Sequence, residues 1–241
     1  MSLDSRGCGA LPIYPISAHT SRAFASKRDF RLFAKSFAYA FAKIPSRYAS
    51  LKLCAYLESL ITRQDFRHIA LFYPLPHEPD ILPLLKKLKR HKSRQVFLPT
   101  MQGLKVKMLP YRLPLVQNHL GIFEPKLSYQ HSRKIDFVLI PSLGIDMAFG
   151  RIGMGKGVYD RSFSPRSSSP YRVFVSQNLH ISSTYITQGF DINAHEYISY
   201  TLKIRNVRGF YNVVDSSHRV SRIRASCRVK RLSSVQKVFR S

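Results

Sequence analysis

The segment best equipped for chemistry is Gly150-Arg151-Ile152-Gly153-Met154-Gly155-Lys156-Gly157-Val158-Tyr159-Asp160-Arg161. Gly153, Gly155 and Gly157 stand at every second position, so the backbone can turn where side chains would clash and its N–H groups can approach an anion. Arg151 and Lys156 add two full positive charges. A helix expected from Val158 onward would add partial positive charge at its N-terminus. Such a cradle suits phosphate. Neither common nucleotide loop is complete, however. Gly150 to Lys156 fits Gly-x4-Gly-Lys, but Gly157 stands where the magnesium-binding Ser or Thr belongs. Gly153 and Gly155 begin a dinucleotide fingerprint that Val158 breaks. A metal would need a nearby carboxylate, and Asp160 and Asp146 are the candidates.

The elements that must position this loop read as alternating strands and helices. Ile135 to Ile140 (IDFVLI) is an apolar strand that feeds it. Upstream, Ser26 with Asp29 three residues on has the capping-box pattern, and Phe30, Phe33, Phe37 and Phe41 follow at helical spacing until Pro45. Their aromatic stripe reads as core. A second helix carries Leu53, Cys54, Leu57, Leu60 and Ile61. His68 to Tyr73 is a strand running into Pro74, Pro76 and the acids Glu78 and Asp80. A helix through Leu82 to Leu88 with a basic outer face comes next, then strands at Gln95 to Leu98, ended by Pro99, and at Lys105 to Leu109. Tyr171 to Val175 is one more strand. This alternation predicts an α/β domain with a mostly parallel sheet flanked by helices.

Composition narrows the field. The 241 residues suit one α/β domain with extensions, and 44% hydrophobic content suffices for a sizeable core. No apolar run reaches the roughly 18 to 20 residues of a membrane span. Residues 1–21 do not read as a signal peptide. Three scattered cysteines, Cys8, Cys54 and Cys227, match no metal spacing and fit a reduced, cytoplasmic protein. Thirty-nine Lys and Arg against thirteen Asp and Glu give +26, a field that draws anions. Residues 1–22 are expected to be a loose arm, 23–202 the catalytic domain and 203–241 a basic extension. That extension could make non-specific contact with nucleic acid.

Five pieces of the chain resemble, in order, the 5-formyltetrahydrofolate cyclo-ligase family, also called methenyltetrahydrofolate synthetases. The strand and loop from Ile135 to Asp146 and from Gly150 to Asp160 are similar to its signature, D-hydrophobic-PG-hydrophobic-x-FD-x-x-G-x-RLGxGxGYYD. Lys27 and Arg31 match its Lys-x-x-x-Arg helix, and Tyr73 to Asp80, with Glu78, its strand and following acid. Leu120 to Pro125 matches its GIxEP turn, and Val175-Ser176-Gln177 and then Asp191 its last segments. The resemblance runs from about Lys27 to Tyr200. Val158 replaces an aromatic residue of the family, Ser142 a glycine, and His195 precedes Glu196 where another acid is usual.

The resemblance implies a three-layer NagB/RpiA/CoA-transferase-like fold and an ATP-dependent, Mg²⁺-assisted closure of 5-formyltetrahydrofolate, polyglutamylated or not, to the 5,10-methenyl form. It implies that Arg151 and Lys156 act on the transferred phosphate. Lys27, Arg31, Gly153, Met154, Gly155, Gly157, Tyr159 and Asp160 would join them in binding ATP. Glu78 and Tyr159 would hold the folate, and Asp160, then Asp191 and Asp146, the metal. Two other readings stay open: a basic nucleic-acid-binding protein in which the loop is only a turn, and another ATP- or CoA-handling enzyme on the same fold. Against the first, there is no zinc spacing, aromatic RNA-binding motif or obvious recognition helix.

Overall fold

A computed structural model of the chain describes residues 21–40, 47–119, 121–126, 134–163, 170–200, 202–207, 210–215 and 220–223. In chain order these form β1 (Ser21–Arg22), α1 (Lys27–Ala40), α2 (Arg47–Arg63), β2 (His68–Ala70), α3 (Leu82–Lys89), β3 (Gln95–Gln102), β4 (Lys105–Pro110), β5 (Leu115–Gln117), β6 (Phe123–Pro125) and β7 (Phe137–Pro141). There follow β8 (Gly144–Ile145), β9 (Arg151–Ile152), α4 (Val158–Ser162), β10 (Tyr171–Val175), β11 (Ile181–Ser182), β12 (Glu196–Ile198), β13 (Leu202–Val207), β14 (Phe210–Asp215) and β15 (Val220–Ile223).

One sheet organises the molecule, in the order β15-β14-β13-β12-β10-β7-β2-β3-β4. The five strands from β12 to β3 are mutually parallel, and antiparallel strands flank them on both sides. Within the run IDFVLI, Phe137 to Ile140 are apolar without interruption because β7 is buried on both faces. Phe137 and Leu139 join Leu57, Ile61 and Leu85 beneath α2 and α3, while Val138 and Ile140 face Phe149, Phe174 and Ile192 on the other side. That is the burial expected of a central parallel strand. The second face is covered by the small sheet β1-β11-β8-β9, α4 and their connecting loops.

Helix α1 begins as its sequence predicts. The Asp29 N–H donates to Ser26 Oγ (3.2 Å), whose hydroxyl donates to the Asp29 carboxylate (2.7 Å). Phe30 and Ala34 are fully buried and dock α1 on Leu143 and Ile152 at the glycine-rich loop. Phe33 is half-buried and Phe37 lies at the edge, both against the ring of His180 (5.4 and 5.3 Å); Phe41 lies outside the described residues. Strand β3 does not stop at Pro99 but runs to Gln102. Its pairing with β2 ends at Phe97, so beyond that point β4 is the strand it ladders with and the missing N–H of Pro99 is tolerated.

The sheet also continues past the boundary expected at 203. Strand β13 spans it, and a buried carboxylate explains why. Glu196, on β12, accepts hydrogen bonds from Tyr56 Oη (2.6 Å), Tyr171 Oη (2.7 Å) and Arg205 Nε (3.0 Å), while the Lys203 ammonium sits 3.7 Å from the Tyr56 ring centroid. The first residues of the basic segment thus neutralise and cover an acid of the domain. Residues 1–20 and 224–241 lie outside the described residues. Among those described, no helix is long and apolar enough to cross a membrane.

Candidate active site

The loop's first cation is held rather than free. Arg151 is almost fully buried, and its backbone N–H donates to Ile192 O (2.9 Å). Its guanidinium donates to Pro141 O at the C-terminal end of β7 (Nη2, 2.8 Å) and to the Asp160 carboxylate (Nη1, 3.0 Å), and it lies over the Tyr159 ring, 5.2 Å from the centroid. Gly153 makes room for it. A Cβ on that residue would stand 2.3 Å from Arg151 Nη1 and 2.6 Å from Cζ. Gly155 and Gly157 have φ of 114° and 60°, conformations that other residues rarely adopt. The three glycines therefore serve two purposes: one admits the arginine, and two turn the chain. Helix α4 is only five residues long, so the positive charge here comes from side chains more than from a helix end.

Two cavities meet at Arg151. The first is a cleft of about 420 Å³ lined by four cations, Lys27, Arg31, Arg151 and Arg161, with Asp160, Asp191 and the exposed ring of Phe190 at its wall. Lys27 and Arg31 are one turn apart on α1 and so share a face. Lys27 Nζ pairs with Asp191 (2.7 Å), and Arg31 Nε donates to Gly153 O (2.9 Å). Arg161 donates to the carbonyls of Leu104 and Lys156. The chain's few acids are thus paired with cations at this wall, and the cleft carries a net positive charge.

The second cavity, about 400 Å³, lies between the C-terminal half of α1 and the ends of β7 and β10. Ligand crevices in parallel sheets form at the carboxyl ends of their strands. Its walls are mostly apolar, with Leu75, Leu143 and Met154 among them, and Glu78, Tyr159 and Lys156 line it too. Burial pushes the Glu78 carboxyl up to about 7, although the Leu75 N–H (3.0 Å) and the charge of Arg151 both pull it down. At neutral pH such a carboxyl is present in both protonation states. Burial, and then the charge of Glu78, also push the Tyr159 phenol up.

Lys27, Arg31, Arg151, Gly153, Gly155, Gly157, Asp160 and Asp191 all meet at the cationic cleft. Met154, Lys156, Tyr159 and Glu78 line the apolar cavity, so Lys156 stands across the wall from Lys27, Arg31 and Arg161, while Arg151 lines both sides. Asp146 belongs to neither. It is fully buried, and its carboxylate accepts from the N–H groups of Ala148, Gly150, Ile186 and Thr187 and from the Thr187 hydroxyl. Those five donors leave no lone pair for a cation, which corrects its place among the metal candidates. Asp136 caps the opposite end of β7, accepting from the His68 N–H (2.9 Å). Sequence reasoning missed Arg161 and Phe190. Arg161 closes the very loop that drew attention, one residue after Asp160, and its charge was the available signal. Phe190 adjoins Asp191 but had none.

The sequence model of the 5-formyltetrahydrofolate cyclo-ligase family matches residues 26–181. The 5-formyltetrahydrofolate cyclo-ligase of Haemophilus influenzae is 31% identical over 113 residues, 43% of this chain and 59% of that protein. That of Escherichia coli K12 is 31% identical over 102 residues, 39% of this chain and 56% of that one. The chain thus spans less than two thirds of the length of these curated relatives. In fold it resembles the 5,10-methenyltetrahydrofolate synthetase of Aquifex aeolicus (TM-score 0.61, 23% identity, 76% of this chain and 93% of that one). The synthetase of Mycoplasma pneumoniae is similar as well (TM-score 0.53, 16% identity, 71% and 97%). With the family's sequence matched across both the α1 cations and the glycine-rich loop that the fold brings together, this chain belongs to the 5-formyltetrahydrofolate cyclo-ligase family.

Proposed function

We propose that the protein catalyses ATP-dependent closure of 5-formyltetrahydrofolate to 5,10-methenyltetrahydrofolate, releasing ADP and phosphate. The observation that carries this reading is the position of Arg151, which lines both the cationic cleft and the apolar cavity. The cleft suits the phosphates of a nucleotide, and the cavity suits a flat heterocycle. A γ-phosphoryl group and a formyl oxygen would therefore meet at the wall this arginine forms.

In this reading the formyl oxygen attacks the γ-phosphorus and ADP departs, leaving a phosphorylated imidate. N10 then attacks the formyl carbon, the ring closes, and phosphate leaves with the former formyl oxygen. Phosphoryl transfer depends chiefly on positioning and charge neutralisation. Pro141 O, Asp160 and the Tyr159 face hold the guanidinium in place, so little reorganisation is needed when charge develops. Lys27, Arg31 and Arg161 spread over the remaining phosphate charge, and Glu78 holds a polar edge of the folate. A polyglutamate tail on that folate would add to the attraction of a chain carrying +26.

Asp160 and Asp191 are the carboxylates that would reach Mg²⁺. Each already faces a cation, and among the described residues no three His, Cys, Asp or Glu converge. That donor set fits an ion held mainly through nucleotide oxygens and one carboxylate. When bound, the ion would shield phosphate charge. The catalytic unit in this proposal is residues 23–202 together with β13 to β15, which continue its sheet.

The experiment is a turnover assay with MgATP and 5-formyltetrahydrofolate, followed by the near-ultraviolet absorbance of the methenyl product. Wild type is expected to show a rising trace, and Arg151→Ala to lose about 10²-fold or more. A flat trace from folded wild type rejects the proposal.

A further inference from the structure

Buried polar groups in folded proteins nearly always find a hydrogen-bond partner, so the exceptions call for a reason. Among the described residues four buried side-chain atoms have none: Arg172 Nη1, Gln177 Oε1, Asn178 Nδ2 and His180 Nδ1. Three of the four fall within one short run after β10, and their residues line the apolar cavity together. Gln177 and His180 are more than nine-tenths buried.

The surroundings fix these groups. Gln177 Nε2 donates to Glu78 O (3.2 Å), which orients the amide and assigns its free oxygen as an acceptor. The His180 ring is packed between Phe33 and Phe37 of α1. Its backbone N–H, bonded to Tyr197 Oη (3.2 Å), holds the turn in place. Asn178 O accepts from the Ser176 and Tyr197 hydroxyls, so the residue is anchored through its backbone while its amide nitrogen stays unmatched. Burial pushes the His180 imidazole down to about 4. At neutral pH it is uncharged, with one N–H and one lone pair.

An acceptor, a donor and a neutral imidazole in one mostly apolar wall would be a defect in a closed core. They are complementary to a planar nitrogen heterocycle that offers an N–H beside a carbonyl or ring nitrogen. We propose that Gln177, Asn178 and His180 are specificity-determining residues that read the polar edge of such a heterocycle in this cavity, Gln177 accepting its N–H, Asn178 donating to its oxygen or nitrogen, and His180 Nδ1 making a third hydrogen bond to that edge. The proposal rests on the folate reading for the identity of the heterocycle. The motifs assign none of the three a role: Gln177 falls in a motif segment, and Asn178 and His180 lie outside the matched pieces.

The test is calorimetric binding to the full chain without turnover, using 5-formyltetrahydrofolate, 2-amino-4-oxopteridine and, separately, MgADP, with a thermal melt of each ligand-free protein. Asn178→Leu and His180→Phe remove the unmatched nitrogen and keep the backbone bonds described above. Each variant is expected to bind both pteridines about tenfold or more weakly, the size of one lost hydrogen bond. MgADP affinity should stay within about twofold of wild type, and the ligand-free melting temperature should be unchanged or higher. Pteridine affinities equal to wild type in both variants overturn the proposal, even if wild type turns over normally. So does a loss that tracks a falling melting temperature and weaker MgADP binding, or a wild type that binds neither pteridine. Selective weakening in a protein that shows no turnover would uphold this inference while rejecting ring closure.

Discussion

Replacing Glu78 with Gln isolates the most perturbed acid facing the apolar cavity. Burial holds its carboxyl near 7, against 4.5 for an ordinary glutamate. The sign follows from linkage. A raised pKa means that the folded protein binds the proton more tightly than the unfolded chain, so this group's contribution to stability is full below about 4.5. It is lost as pH rises through 7. For these two values the loss between pH 5 and pH 8 is about 2.5 kcal/mol. Gln keeps the size of the side chain and an oxygen to accept from Leu75 N, but it does not titrate. Urea unfolding of both ligand-free proteins at pH 5, 6, 7 and 8 should therefore show wild type losing about 2 to 3 kcal/mol relative to Glu78→Gln across the range. Parallel curves would refute the burial argument. A difference of the opposite sign would mean that a cation, not desolvation, dominates at Glu78.

Three further substitutions probe the supports of the site. Gly153→Ala should displace the Arg151 guanidinium, which a Cβ would meet at 2.3 Å, cutting turnover at least about tenfold while costing only about 1 to 3 kcal/mol of stability; near-normal turnover would show that the arginine need not sit there. Asp146→Ala should cost about 3 kcal/mol or more in a denaturant titration because several buried donors lose their acceptor, with the magnesium dependence of turnover unchanged. A shifted magnesium requirement at normal stability would restore Asp146 as a ligand. Arg205→Met, in the basic segment, should destabilise the domain by about 1 to 2 kcal/mol by removing the cation from buried Glu196; an unchanged unfolding midpoint would show that the Arg205–Glu196 pair adds nothing to stability.

Much of the architecture was legible because the signals are local. The IDFVLI run, the Ser26–Asp29 cap and the buried positions of α2 depend on neighbours in sequence, and each stands where periodicity puts it. Lys27, Arg31 and the glycine-rich loop were legible for another reason, since their motif spacing survives whatever lies between them. Three things were not. The difference between Asp146 and Asp160 is one of lone pairs already taken, and three of the five donors to Asp146 come from residues 186 and 187, some 40 positions away. Arg205 looked like one more charge in a basic tail because its partner Glu196 lies on the neighbouring strand. The unmatched atoms of Gln177, Asn178 and His180 exist only once α1 closes over the strand ends.

The most direct measurement of the central claim follows one oxygen atom. With ¹⁸O in the formyl group of 5-formyltetrahydrofolate and MgATP as co-substrate, mass spectrometry of the released phosphate reports whether the formyl oxygen attacks the γ-phosphorus. One ¹⁸O in each phosphate formed is the predicted result. Unlabelled phosphate, with the label left in the folate, in formate or in water, would contradict it.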